Sequence, residues 1–213
     1  MIQKKIGNYL FPSSDTHFER WILNGEYQKK QRDTLFEYME NKRKIEYIID
    51  VGAHVGLWSR PMIQRPDTKY IWAFEPNSSV RECYVQNMKD FDNYTIYPFA
   101  LGSHQTTGFL NIEKDNSGNT NIDPDKPGNV EIKSIDSMNF ENVDYIKVDA
   151  EGFEYQILSG CLETLSKNKP FIHLEMKSKR MRNTFDEFNI LFNKIGYKEV
   201  KRVSAEVLYD YNT

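Results

Sequence analysis

Cysteine is scarce in this 213-residue sequence, with only Cys83 and Cys161. One pair cannot build a disulfide framework, and without a nearby histidine pair it does not make a zinc finger. Both fall at apolar positions of helix-like segments and read as reduced core residues, so a reducing, cytoplasmic setting is expected. Long hydrophobic runs are missing too. No window approaches the ~20 apolar residues of a membrane-spanning helix. The N-terminal MIQKKIGNYLF has no apolar stretch long enough for a signal-peptide core. Neither sign of charge dominates: 28 Lys+Arg stand against 31 Asp+Glu, a net charge of -3. That balance gives no global drive toward nucleic acid or anionic membrane, so neither is an expected partner. Internal repeats and low-complexity blocks are absent.

What is present fits one globular domain. Hydrophobic residues make up 39% of the chain, including 13 Phe, 13 Tyr and 3 Trp, too apolar a composition for disorder. Ser13, Ser14 and Asp15 offer N-cap chemistry ahead of a polar-aromatic stretch with Phe18, Trp21, Ile22, Leu35, Phe36 and Met39. Residues 1–45 are therefore expected to form an N-terminal helical segment, broken near Asn24 and Gly25, that covers the sheet or the site. Residues 46–213 form the main domain.

From residue 46 the period changes. Residues 46–51 are a short apolar run bounded by glycine, which fits a strand buried on both faces. Residues 56–64 read as a short helix stopped by Pro66. Residues 70–75 are the next strand, and Asn77 caps a helix with the stripe Val80, Cys83, Tyr84 and Met88. Residues 94–101 read as a third strand. Strands alternating with helices predict a mainly parallel α/β sheet. Residues 108–112 and 130–135 alternate apolar and polar, with a loop rich in Asn, Asp, Gly and Pro at 116–129 between them. They predict a hairpin-like excursion with a mobile tip. Residues 143–148 are again a strand, followed by a helix carrying Ile157, Leu158, Cys161, Leu162 and Leu165. Residues 171–176 are another strand. Thr184 and Glu187 form a capping box for a helix with Phe185, Phe188, Leu191, Phe192 and Ile195, which Gly196 ends. Residues 197–211 predict a closing antiparallel hairpin around Ser204.

Two motifs carry chemistry. D-V-G-A-H-V-G, residues 50–56, follows a buried strand directly. Gly52 lets the backbone turn and leaves room for a ligand, and the next helix is expected to present its N–H groups there. The following strand ends in Glu75, where a carboxylate can accept both ribose hydroxyls of a nucleoside. His54 breaks the G-x-G-x-x-G dinucleotide fingerprint, which argues against a dehydrogenase. In the second motif, K-V-D-A-E-G-F-E, Asp149, Glu151 and Glu154 follow one strand within six positions. Asp149 and Glu151 can orient a hydroxyl, accept its proton or hold a metal. Glu154 suits a helix start or an orienting role. His173 and Glu175 are read as lying on opposite faces of one strand, with Glu175 nearer any site. Tyr38 and Lys42 show dehydrogenase spacing but precede the nucleotide strand, so they read as a helix-surface coincidence. Lys177, Lys179, Arg180 and Arg182 read as a solvated basic face able to grip an anion.

The succession D-V-G-A-H-V-G, A-F-E-P-N, A-L-G, S-I-D-S-M, Y-I-K-V-D-A-E-G-F-E-Y-Q-I-L-S-G and H-L-E resembles the FkbM family of S-adenosylmethionine-dependent methyltransferases over residues 47–175. The resemblance implies a class I methyltransferase (Rossmann-like) three-layer α/β sandwich. Its mostly parallel seven-stranded sheet has the order 3-2-1-4-5-7-6 and ends in an antiparallel hairpin. It also implies that Asp50, Gly52, Ala53, His54 and Gly56 cradle the amino-acid part of the cofactor. Glu75, with Pro76 and Asn77, would hold the ribose, and Ala100 and Leu101 would lie near the adenine. The acceptor it implies is a hydroxyl of a sugar, glycan or small natural product. Asp149 and Glu151 would be the catalytic acids or ligands of a divalent metal, with Glu154 and Glu175 near the substrate. With so compact a chain, the N-terminal segment and residues 116–129 would have to cover the site. The alternative is a nucleoside-binding module without catalysis, or an adaptor in a glycan-modifying system. The intact carboxylates at 149, 151 and 154 favour an enzyme. A nucleic-acid methyltransferase predicts an N/D-P-P-Y/F motif or a broad basic surface, and the sequence has neither. Oligomeric state is left open.

Overall fold

The computed structural model describes residues 3–18, 22, 27–113, 115–176 and 185–211. The chain opens with an antiparallel hairpin, β1 (Gln3–Ile6) and β2 (Tyr9–Pro12), followed by α1 (Lys29–Glu40). Then come β3 (Tyr47–Val51), α2 (Ser59–Ile63), β4 (Tyr70–Phe74), α3 (Ser78–Asn87) and β5 (Tyr94–Tyr97). Four short strands follow: β6 (Ala100–Leu101), β7 (Thr106–Asn111), β8 (Asn121–Asp123) and β9 (Val130–Lys133). The main rhythm resumes with β10 (Tyr145–Val148), α4 (Glu154–Ser159), α5 (Leu162–Asn168) and β11 (Phe171–Glu175). It closes with α6 (Phe185–Ile195), β12 (Tyr197–Val203) and β13 (Glu206–Tyr211).

The central sheet has the order β12-β13-β11-β10-β3-β4-β5. All neighbours are parallel except β13, which runs antiparallel to β11 and β12. This is the 3-2-1-4-5-7-6 arrangement with the expected terminal hairpin, and the class I methyltransferase fold. Strands β3, β10 and β11 sit at the centre and are buried on both faces, so each reads as a nearly unbroken apolar run. On one face Ile48, Tyr145, Phe171 and Leu208 pack under Leu35, Phe36 and Met39 of α1, Met62 of α2 and Tyr84 of α3. On the other, Ile49, Ile146, Ile172 and Tyr209 pack against Ile157, Leu165, Phe188 and Phe192 from α4, α5 and α6. No described helix is long and apolar enough to cross a membrane.

Several local expectations are corrected. The N-terminal segment is not helical throughout, because residues 3–12 form a hairpin. Asn87 of α3 supplies partners to its outer strand, accepting from Leu10 N at 2.7 Å and donating to Leu10 O at 3.0 Å. The helix predicted in this segment is present as α1; Trp21, Asn24 and Gly25 lie outside the described residues. The third strand splits at Pro98, which has no N–H to continue a ladder: β5 stays in the main sheet and β6 joins a second one. That second sheet has the order β6-β9-β7-β8, and the expected hairpin appears there as β7 antiparallel to β9, with Gly108 opposite Val130. The helix after β10 is two helices. They break at Gly160, where a Cβ would sit 2.2 Å from Gly102 O. Thr184 of the capping box and the basic residues Lys177, Lys179, Arg180 and Arg182 lie outside the described residues. Gly196 has φ +81° and ends α6 as expected.

Candidate active site

The strand order reverses between β3 and β10, and open α/β sheets bind ligands at the carboxyl ends of strands at such a point. A cavity of about 760 Å³ lies there, within the usual size of small-molecule sites. Its floor comes from Gly52–His54 after β3, Glu75 and Pro76 after β4, and Asp149–Glu151 after β10. Ala100 and Leu101 line it as well. The cover comes from His17, Phe18, Tyr27, Gln28 and residues 116–122, so both segments expected to cover the site reach it.

The glycine turn is built differently from the expectation. Gly52 has φ +74°, and a Cβ there would lie 1.8 Å from the Asp149 backbone oxygen. Glycine is required there because the ends of β3 and β10 touch. Gly52 N and Ala53 N both donate to Phe74 O at 3.1 Å, and Gly56 N donates to Ala53 O at 2.9 Å. These N–H groups are therefore taken up by the end of β4 and by the turn itself. The following helix starts only at Ser59 and has five residues, so it presents no N-terminal N–H row to the cavity. Pro61 sits in its first turn, where a missing N–H costs nothing.

Glu75 is 6% exposed and lines the cavity. Its Oε2 accepts from His54 N at 3.1 Å and its Oε1 from Asn77 N at 2.9 Å. Burial raises its carboxyl to about 7 against the pull of those two N–H groups. Two further lone pairs remain for hydroxyl donors.

His54 ties the floor to the cover. Its backbone is left-handed at φ +52°, and its Nε2 lies 2.6 Å from Ser117 Oγ. Ser117 Oγ and Ser117 N both donate to Asp15 Oδ2, and Asp15 is fully buried. The serine proton is committed to the carboxylate, so the network requires the Nε2–H tautomer of His54. Burial lowers the imidazole to about 4 and keeps it neutral. Phe18 packs on the same ring at 4.8 Å.

Acidic groups gather after β10 and at the end of β11. Asp149, Glu151 and Glu175 each bring one carboxylate oxygen within 4.8 Å of the others. Lys147 Nζ lies 3.2 Å from Asp149 Oδ2 and is 5.4 Å from the Trp58 ring centre. Burial alone would lower this ammonium, but Asp149, Asp50, Glu206 and Glu175 outweigh it and raise its pKa, so it stays charged. Glu151 is left-handed at φ +52°. Such strain in a non-glycine residue concentrates at functional sites, and both His54 and Glu151 line this cavity.

The remaining expected residues stand behind the wall. Asp50 is fully buried, accepts from Ser59 Oγ at 2.6 Å and has no partner for Oδ1 among the described residues, and burial raises its carboxyl. Asn77 caps α3 through Ser79 N. Gly56 at φ +89° packs against the Tyr84 ring. Glu154 is buried and accepts from Ala150 N and Gly152 N at 3.1 and 3.0 Å, fixing the turn at the start of α4. His173 and Glu175 are two residues apart and so share a face, which corrects the opposite-face reading. His173 Nε2 pairs with Glu206 Oε2 at 2.7 Å, and Gln28 Nε2 reaches both Glu206 and Glu175.

Sequence reasoning quoted Lys147 but gave it no role. The period of two along β10, which places it beside Asp149, was the available signal. It missed Tyr27, Gln28, Trp58, Ser117 and Glu206, none of which stands in a motif.

A family model for the methyltransferase FkbM domain matches residues 50–199. Among solved structures, methyltransferase FkbM from Methylobacillus flagellatus KT is 19% identical with a TM-score of 0.57. The match covers 78% of this chain and 43% of that one, so this chain spans less than half of that protein. Precorrin 8w decarboxylase from Methanobacterium thermoautotrophicum is 13% identical with a TM-score of 0.54, covering 97% and 99%. Precorrin-6y C5,15-methyltransferase from Geobacter metallireducens GS-15 is 14% identical with a TM-score of 0.50, covering 85% and 86%. A search of curated proteins finds no significant match. These structural likenesses agree on the fold, and the domain match covers well over half of the chain: it belongs to the methyltransferase FkbM domain family.

Proposed function

We propose that the chain is an S-adenosylmethionine-dependent methyltransferase acting on a hydroxyl oxygen of a sugar, a glycan or a small natural product. The observation that carries this reading is Glu75, a buried carboxylate on the cavity wall, fixed by two backbone N–H groups with lone pairs left over. Such a group suits the paired hydroxyls of a ribose. Leu101, Leu110, Ile122 and Phe153 line the same cavity and offer apolar surface for a purine. Gly52, Ala53 and His54 lie where the amino-acid part would rest, with Pro76 beside the ribose and Ala100 and Leu101 toward the adenine. Asp50, Gly56 and Asn77 act from behind, by holding the turn and orienting Glu75.

When bound, the cofactor supplies a methyl on a sulfonium, open to in-line attack. The protein holds the acceptor oxygen near and aligned. Asp149 and Glu151 stand at that end of the cavity, and one of them accepts the hydroxyl proton. Glu154 supports them by fixing their turn, and Glu175 joins them from β11. Asp149, Glu151 and Glu175 also form an all-oxygen donor set suited to a hard divalent cation, which would lower the hydroxyl pKa. Calorimetry with S-adenosylhomocysteine tests the first half of this reading, and absence of binding ends it. Labelled methyl transfer to glycans and lipid-linked sugars, with and without chelator, tests the second.

A further inference from the structure

We infer that Tyr27 and Gln28 form the acceptor-recognition wall, with Tyr27 touching the acceptor and Gln28 as the positioning residue that holds Tyr27 there. This rests on the methyltransferase reading above and adds the residues that select the acceptor.

The Gln28 amide has one orientation. Trp58 Nε1 donates to its Oε1 at 2.6 Å, while its Nε2 donates to Glu206 Oε1 at 2.9 Å and to Glu175 Oε1 at 3.4 Å. Reversing the amide would set donor against donor and oxygen against carboxylate. The three partners come from the segment before α2, from β13 and from β11. Glu206 is itself held by His173 Nε2 at 2.7 Å, and His173 Nδ1 by the Tyr145 hydroxyl at 2.7 Å. The anchor thus runs from the cavity into the buried sheet. Gln28 also has φ +49°, a left-handed backbone that a non-glycine residue keeps only when its surroundings impose it.

The adjoining Tyr27 borders the same cavity as Lys147, Asp149 and Glu151. Burial first, then the charges of Asp149, Glu175 and Glu206, push its phenol well above 10. It therefore stays protonated and can donate to an acceptor oxygen, but it cannot serve as the base. Phe18 meets its ring edge-on at 5.2 Å and fixes its plane. Position in the chain supplies a separate argument. Glu75, Asp149 and Glu151 lie inside the segment shared with the family, residues 50–199, whereas Tyr27 and Gln28 lie outside it. The shared segment carries the groups assigned to cofactor and chemistry, and the added segment brings a hydrogen-bonding wall to the acceptor end.

The test compares wild type with Tyr27→Phe and Gln28→Leu. S-adenosylhomocysteine affinity is read by calorimetry. Acceptor KM is read by labelled methyl transfer to a defined mixture of methyl glycosides, myo-inositol and glycerol. The expected result is cofactor-product affinity within about twofold of wild type in both variants, with acceptor KM raised about tenfold in Tyr27→Phe, the size of one hydrogen bond. Gln28→Leu should raise it similarly and shift the Trp58 indole N–H resonance. A wild type that binds no S-adenosylhomocysteine removes the methyltransferase reading and this proposal with it. Binding by wild type but not by Tyr27→Phe would keep that reading and move Tyr27 to the cofactor, overturning the proposal alone. An unchanged acceptor KM in Tyr27→Phe, or a binding-competent wild type that methylates no hydroxyl in the mixture, overturns it as well.

Discussion

The Ser117 hydroxyl stands 2.6 Å from His54 Nε2, although 63 residues separate them in sequence. Because Ser117 also donates to Asp15, one hydroxyl joins three segments: the glycine turn, the N-terminal segment and the excursion between β7 and β9. The cover of the cavity is fastened to its floor by a buried polar chain rather than by apolar contact alone. Ser117→Ala removes the central link and leaves the His54 N–H and an Asp15 oxygen without it. Loss of about 1–3 kcal/mol of stability is expected, read as a lower midpoint in urea. An unchanged midpoint would show that the link carries no net energy.

His54 and Glu75 have opposite effects on stability with pH. The folded imidazole titrates near 4 rather than 6.5, so between those values only the unfolded chain takes the proton, and stability falls as pH drops from 6.5 toward 4. The folded Glu75 carboxyl titrates near 7 rather than 4.5, so the folded chain keeps a proton that the unfolded chain has lost. Stability then falls as pH rises from 4.5 toward 7. The two slopes offset each other between pH 4.5 and 6.5. Glu75→Gln removes one of them. The unfolding free energy of Glu75→Gln minus that of wild type should rise by roughly 2–3 kcal/mol from pH 4.5 to pH 8. A difference that stays flat over that range contradicts the assignment.

Glu75→Ala should weaken S-adenosylhomocysteine binding by about 1–3 kcal/mol, since two charge-assisted hydrogen bonds are lost. Ribose hydroxyls donate best to the ionised carboxylate, so wild-type affinity should also rise with pH through about 7. Equal binding by wild type and variant would clear Glu75 of the role.

Gly52→Val should fail to fold. A Cβ at this position meets the Asp149 backbone oxygen at 1.8 Å, in a conformation (φ +74°) that valine resists. From the sequence alone, the expectation is a folded protein that has lost its ligand. Circular dichroism and thermal melting separate the two, and a native melt would show that the strand ends can part without cost.

Asp149→Asn and Glu151→Gln should lower turnover by about 10²–10⁴ if either carboxylate takes the acceptor proton. Turnover is measured with melting temperature so that lost fold is not read as lost chemistry. Wild-type turnover stopped by chelator and restored by Mg²⁺ or Mn²⁺ would assign the acids to a metal, and chelator resistance would assign them to proton transfer. Near-wild-type turnover per folded molecule would remove both roles.

Much of the fold was legible because its strongest signals are local. Residues 47–51, 145–148 and 171–175 are mostly apolar because they are buried on both faces, interrupted only by Asp50, Lys147, His173 and Glu175, and the helices between them carry one apolar stripe. The tail hairpin was legible from alternation alone. The N-terminal hairpin was not, because Asn87, a residue of α3, completes its outer edge. The break at Gly160 was hidden for a similar reason: Gly102 O occupies the place where a side chain would go. Glu75 and Asp149 directly follow strand ends and Glu151 lies in the turn after β10, so their place on the cavity wall was legible from their place in the chain.

By itself the sequence determined the alternation of strand and helix, the glycine turn after the first central strand, and the carboxylates that close strands β4 and β10. These follow from patterns a few residues long, and backbone geometry translates them directly. Only the tertiary structure decided which side chains meet. Parallel register sets Asp50, Lys147 and His173 side by side on three strands. It also brings Glu175 of β11 toward Asp149 and Glu151, and folding carries Gln28 to both Glu175 and Glu206. The register of parallel strands depends on how the crossover helices pack, and the cover of the cavity depends on contacts dozens of residues apart. No local pattern encodes either, since the energy that selects them exists only once the core has closed.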